Sequence, residues 1–270
     1  MFLENFMDVA LIESAGFWLA VTFYAAGFLL ACAAVAFKSE KAGRGVNAAV
    51  RSAWVLQSAV ILYRGLAQVS PPFITYFESV LFGCWLGAGF YLLARRLPPA
   101  AGGIVCGINF ILMGSAALAP SPHLSLPPGL QSWWLVLHVL TALAVFGVLV
   151  AGTGAAVSML LPAGSPGAGK GTELLLVKCL SFAFLAQLGM VASGSVWAQK
   201  AWGRYWGWDP IETFSLATWI FYGIALHMRY FFGWGGRKLA WFTVAGLALC
   251  VYGIWGVPYF SHSVHLYEIQ

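Results

Sequence analysis

The sequence predicts an all-α, polytopic integral membrane protein of about eight transmembrane helices. Three observations predict it. Hydrophobic residues make up 61% of the chain and charged residues only 9%, against roughly 25% charged in an average soluble domain. The mean hydropathy is +0.82. The apolar runs are about 20 residues long, which is what a helix needs to cross a ~30 Å hydrocarbon core; barrel strands would be shorter and would alternate.

The runs fall roughly at residues 15–37, 47–66, 77–95, 102–119, 132–155, 174–193, 212–231 and 239–257. The first ends at a connection carrying Lys38, Lys41 and Arg44. The second has Arg51 and Arg64 near its ends, where long side chains can snorkel to the interface. The third is entered through TYFESVLFGCW and leaves at Arg95 and Arg96. The fourth ends before the loop SPHLSLPPG, which holds His123. The fifth carries His138 in WLVLHV and runs to the linker GSPGAGKG. That linker is half a P-loop at most, since no strand precedes it and no Ser or Thr follows the lysine correctly. The sixth leads into WGRYWGWDPIET, and the seventh carries His227 within IALHMR. The eighth precedes the tail GVPYFSHSVHLY, with His262 and His265.

Charge orients these spans. One set of connections holds Lys38, Lys41, Arg44, Arg95, Arg96, Lys170, Arg229, Arg237 and Lys238. The other holds Arg64, Lys200 and Arg204 with most of the acids, among them Glu4, Asp8, Glu13, Glu78, Asp209, Glu212 and Glu268. The positive-inside rule makes the first set cytoplasmic and both termini extracytoplasmic. The acidic start is unlike a cleavable signal peptide. The formal charge of +5 sits at helix ends and does not point to nucleic acid. Residues 1–270 read as a single membrane domain. The five cysteines lie scattered in apolar runs without a C-x-x-C pair, as small buried hydrophobes do.

The chemistry is therefore expected within the membrane or at its outer face. An ionisable residue in a span is a functional candidate by default. His138 lies near the outer end of span five, and four of the five histidines share the side of the tryptophan-rich connection. An aromatic belt explains tryptophan near a membrane edge. It explains less of GSVWAQKAWGRYWGWDPIETFSLATW, where Trp197, Trp202, Trp206 and Trp208 are interleaved with glycines. Asp209, Pro210 and Glu212 also have a plain meaning as the cap and first turn of span seven. Imidazoles beside a floor of flat rings suit haem, whose iron takes axial histidines and whose macrocycle packs on aromatic faces. Lys200 and Arg204 are cations that its propionates would welcome. A zinc site would need three or four close ligands.

This stretch, extracytoplasmic loop 193–212, resembles the WWD domain of haem-handling membrane proteins. Its closest likeness there is the CcsA/ResC type, from the system II cytochrome c synthase. TYFESVLFGCW, WLVLHV and the tail are similar to that family's segments in the same order. The resemblance implies a haem lyase subunit that handles haem b as substrate and ligand. It implies covalent attachment to the CxxCH motifs of apocytochrome c. His138 and His265 would be the outer axial ligands to iron and the catalytic pair; the tail's second histidine, His262, is the alternative to His265. His227 would hold haem within the membrane. Trp197, Trp202, Trp206, Trp208, Asp209 and Glu212 would form the haem-facing surface. A CcsB/ResB-like membrane subunit and a thiol-reducing thioredoxin-like protein are the implied partners. The implied location is a bacterial inner membrane, or a thylakoid membrane in a plastid, with the loop on the extracytoplasmic side. A haem exporter or chaperone of the same superfamily, a regulatory membrane protein of haem synthesis, and a plain membrane anchor or electron-transfer cytochrome remain the competing readings.

Overall fold

The computed structural model describes residues 2–67, 75–94, 97–119, 131–161 and 170–261. Long helices dominate, and no strand occurs among the described residues. Eight long helices occupy the eight predicted positions: α1 (Phe2–Ala36), α2 (Glu40–Ala67), α3 (Tyr76–Leu93), α4 (Pro99–Ala116), α5 (Trp133–Leu160), α6 (Lys170–Trp202), α7 (Pro210–Phe232) and α8 (Gly236–Val251). Several outrun their apolar cores. A short α9 (Val257–Phe260) ends the described chain.

Among the described residues seven of these helices are long and apolar enough to span a membrane. The helix that falls short is α7. Its 23 residues would reach about 34 Å at ~1.5 Å per residue. Thr213, Ser215, Thr218, His227 and Arg229 dilute its apolar character. The protein is thus a multi-pass, helical membrane protein.

Local chemistry sets the helix ends. Thr75 and Glu78 form a reciprocal capping box at the start of α3. Pro99 opens α4, where a missing N–H does no harm. Gly233 closes α7 in the left-handed conformation, φ 64°. After α8 the helix widens into a π-helical turn, Tyr252–Gly256. Pro258 is the reason: it cannot donate to the carbonyl four residues back, and its ring crowds that carbonyl.

The chain packs as two compact units, Met1–His123 and Leu124–Gln270, within what reads from sequence as one domain. In the first unit α1 packs against α2 and α4, with α3 against α2 and α4. Small residues bring these backbones together, as lipid-embedded helices require: a methyl on Gly27 would lie 2.5 Å from Cys106 Sγ. The core is threaded by hydrogen bonds. Tyr24 donates to Gln57 Oε1 at 2.7 Å, and Gln57 Nε2 donates to the Leu81 carbonyl at 2.7 Å. Arg64 does not snorkel. It is 1% exposed and held between the carboxylates of Glu13 and Glu78, with its guanidinium 5.0 Å from the Phe77 ring centre.

In the second unit α5 packs along α6 and α8, and α6 along α7. Glu173 ties three helices at one end. It pairs with Arg229 at 2.7 Å and accepts from the Gly236 N–H at 2.8 Å. Cys84, Cys106, Cys179 and Cys250 are buried free thiols, as expected; Cys32 instead faces outward from α1.

Candidate haem-binding site

Ser132 starts α5 by accepting from the Trp134 N–H with its side chain. His138 follows in the second turn and is half-buried. Its ring lies against α6, with Nδ1 2.9 Å from the Met190 carbonyl oxygen. A carbonyl only accepts, so Nδ1 carries the proton and donates. Nε2 is then the nitrogen with the lone pair. Metal-ligating histidines show this arrangement, in which the other ring N–H is tied to a carbonyl or carboxylate.

A glycine makes the approach possible. A methyl on Gly194 would lie 2.5 Å from His138 Nδ1 and 2.8 Å from Cε1. Glycine inside a helix costs about 1 kcal/mol relative to alanine; here it gives the imidazole a seat on the helix backbone. The Ser193 hydroxyl donates to the Gly189 carbonyl at 2.7 Å and also lies 3.2 Å from the Met190 carbonyl oxygen.

Trp197 lies one turn further along α6. Its indole is 1% exposed and nearly parallel to the His138 ring, at 19° with centroids 6.4 Å apart. Trp202 meets Trp197 edge to face at 4.9 Å. Both tryptophans are helical: of the stretch 193–212, only residues 203–209 lie between α6 and α7.

That connection is held by carboxylates. Gly203 turns the chain out of α6 at φ 75°. Glu212 Oε2 accepts from the N–H groups of Gly207, at 2.7 Å, and Asp209, at 3.1 Å. Asp209 Oδ1 accepts from the Ile211 N–H at 3.0 Å. The capping role read for Asp209 and Glu212 is thus realised, and both are buried. This scaffold holds Trp208 at φ 56°, 70% exposed, with Trp206 perpendicular to it at 5.8 Å. Trp206 Nε1 is buried with no hydrogen-bond partner. The Arg204 guanidinium lies over Gly207, where a methyl would come within 2.6 Å of its Nε.

His227 stands apart from this cluster on α7, about 15 residues and roughly 22 Å along the helix from Glu212. It is exposed rather than bonded into a core. Its ring stacks on Phe231 at 4.5 Å and meets Phe232 edge-on at 5.7 Å. His227 belongs to an exposed stripe with Ala217, Ile220, Ile224 and Phe231. His123, His262 and His265 lie outside the described residues.

The structure therefore brings together His138, Trp197 and Trp202, and separately Trp206, Trp208, Asp209 and Glu212 in one connection. Met190 and Gly194 were not anticipated from sequence. The one signal for Gly194 is a glycine within an apolar helical run, three residues before Trp197.

Fold and site define a polytopic helical membrane protein with a histidine and an indole wall at the end of its α5–α6 pair. Residues 73–265 match the family model described as cytochrome C assembly protein. The chain belongs to the cytochrome c assembly protein family. It is similar to the cytochrome c biogenesis protein CcsA of Synechococcus sp. (strain CC9605), 28% identical over 90% of this chain and 94% of that protein. The CcsA of Synechococcus sp. (strain RCC307) is 31% identical over 83% of this chain and 85% of that one. Among solved structures the fold is similar to that of the cytochrome c heme lyase CcmF, with a TM-score of 0.73 and 22% identity. The match covers 91% of this chain and 46% of the lyase, so the chain spans about half of that protein.

Proposed function

We propose that this protein is the CcsA-type subunit of a cytochrome c synthase. In this reading it handles haem b across the membrane and joins it covalently to the CxxCH motif of apocytochrome c. The observation that carries the proposal is the His138 ring, whose Nδ1 is tied to the Met190 carbonyl and whose face is backed by Trp197. The donor chemistry fits an iron porphyrin: a fixed imidazole presents a lone pair on Nε2, near the half-buried Trp202 and Trp206 and the exposed Trp208, whose indoles are flat faces of the kind a macrocycle packs on. Haem supplies the vinyl groups and a ligand-accepting iron.

In this mechanism His138 and His265 of the tail would be the imidazoles that hold the haem iron at the outer site, with His262 as the tail's alternative. Trp197, Trp202, Trp206 and Trp208 shape the face against which the porphyrin is oriented. Asp209 and Glu212 act at one remove, by fixing the connection that carries Trp206 and Trp208. His227 holds haem within the membrane. The histidine of the incoming CxxCH segment replaces one of the outer imidazoles. Each cysteine thiol then adds across a vinyl double bond: a C–S bond forms, the thiol hydrogen goes to carbon, and no external oxidant or reductant is consumed. A CcsB/ResB-like membrane subunit and a thioredoxin-like protein that delivers reduced thiols are the proposed partners. A bacterial inner membrane, or a thylakoid membrane, is the proposed location, with the loop on the extracytoplasmic side.

The test is co-expression with a CcsB-like subunit and a reporter apocytochrome bearing one CxxCH motif. Haem that stays on the reporter through denaturing electrophoresis supports the synthase. Haem that binds this protein but never becomes covalent on the reporter overturns it and favours an exporter or chaperone.

A further inference from the structure

We infer that Gly194 is a positioning residue that sets the tautomer and aim of His138, by leaving room for the imidazole to donate to the Met190 carbonyl. The inference rests on the reading of His138 as a haem ligand and adds to it a residue that touches no haem.

The geometry is specific to this glycine. The Nδ1–Cε1 edge of the ring sits where a Gly194 side chain would be, 2.5 Å and 2.8 Å from the position of a methyl carbon. That edge is part of a rigid ring, so it cannot bend away as the tip of a long side chain would. Trp197 stands nearly parallel to the ring, at 19°, and is itself buried, which limits escape on that side. A methyl at Gly194 must therefore push the ring off the Met190 carbonyl. Once the 2.9 Å bond is lost, nothing in that pairing fixes the proton on Nδ1. The Met190 carbonyl then no longer selects the nitrogen offered to iron, nor directs the ring. Gly189, in the same helix, is the contrast: a methyl there meets nothing within 4 Å. Alanine is the better helix former at both places, so any difference between the two variants comes from the ring and not from the helix.

The experiment uses the full chain in membranes and then in detergent, with two readouts. The first is the ring-nitrogen NMR spectrum of protein free of haem and labelled at histidine, with the His138 signals identified by their loss in His138→Gly. The second is haem titration followed by the absorption spectrum. The expected result is an Nδ1–H tautomer at His138 in the parent protein and in Gly189→Ala. Gly194→Ala should lose that tautomer and bind haem at the outer site about 10–100-fold more weakly, the usual effect of removing a ligand's supporting hydrogen bond. A Gly194→Ala protein that keeps the tautomer, or that binds haem as Gly189→Ala does while His138→Gly fails to, overturns the inference and leaves His138 as a ligand. A His138→Gly protein with unchanged haem binding overturns the ligand reading itself, and the inference with it. If Gly194→Ala does not accumulate, the double variant His138→Gly/Gly194→Ala decides, because the ring that the methyl would strike is gone. Added imidazole should restore the spectrum of His138→Gly and not that of the double variant; equal restoration overturns the inference.

Discussion

The His138 imidazole and the Trp197 indole lie 19° from parallel with their centroids 6.4 Å apart, on neighbouring helices of one unit. The indole is fully enclosed while the imidazole is half-buried, so under the proposed function the tryptophan forms the wall and the histidine the face offered to haem. Truncating the wall should loosen both packing and ligand. Trp197→Ala is expected to destabilise the protein by about 3–5 kcal/mol, as other buried tryptophan truncations do, and to weaken haem binding. Trp197→Phe keeps a flat ring and should lose much less of each. Thermal unfolding in detergent and haem titration of the two variants check this.

Glu212 Oε2 gathers the N–H groups of Gly207 and Asp209. Glu212→Ala leaves both donors without their acceptor in a partly buried place. Hydrogen bonds to a charged group are worth about 1.5–3 kcal/mol, so residues 203–209 should open. Amide exchange at Gly207 and Asp209 should quicken, and trypsin should cut after Arg204. Glu212→Gln retains an acceptor oxygen and should show a smaller change. Unaltered exchange in Glu212→Ala would refute the scaffold role.

Arg64 sits between Glu13 and Glu78 in the first unit. Removing the cation strands two carboxylates away from water. Arg64→Ala is expected to cost about 3–5 kcal/mol, as breaking a buried ion pair does. Replacing all three residues by apolar ones of similar size should recover most of that loss. Denaturation midpoints of the single and triple variants measure the difference.

His227 is exposed on α7 and stacked on Phe231, far along the helix from the capped connection. Under the proposed function His227→Ala should reduce the haem that copurifies with the protein. The outer site should keep its response to added haem and imidazole. Because the side chain is exposed, folding should change by less than about 0.5 kcal/mol. Copurified haem equal to that of the parent protein would remove His227 from the haem path.

Sequence alone determined where the eight long helices lie and how the seventh is capped. A hydrocarbon core of fixed thickness demands apolar runs of matching length, and these are readable residue by residue. The capping box of Asp209 and Glu212 is equally local, since its partners lie within five residues of one another. The tertiary structure decided where rings and charges point. Arg64 reads as a snorkelling residue near a helix end, yet Glu13, 51 residues away, and Glu78, 14 away, hold it inside. Four tryptophans of one motif look alike in sequence, but packing encloses Trp197 and leaves Trp208 exposed. The protonated nitrogen of His138 depends on a carbonyl 52 residues along the chain and on the absence of a single methyl at Gly194. Bilayer thickness and backbone hydrogen bonding act over a few residues, and so they leave a pattern in the sequence. The meeting of α5 with α6 joins residues that are distant in the chain, and only the packed structure records it.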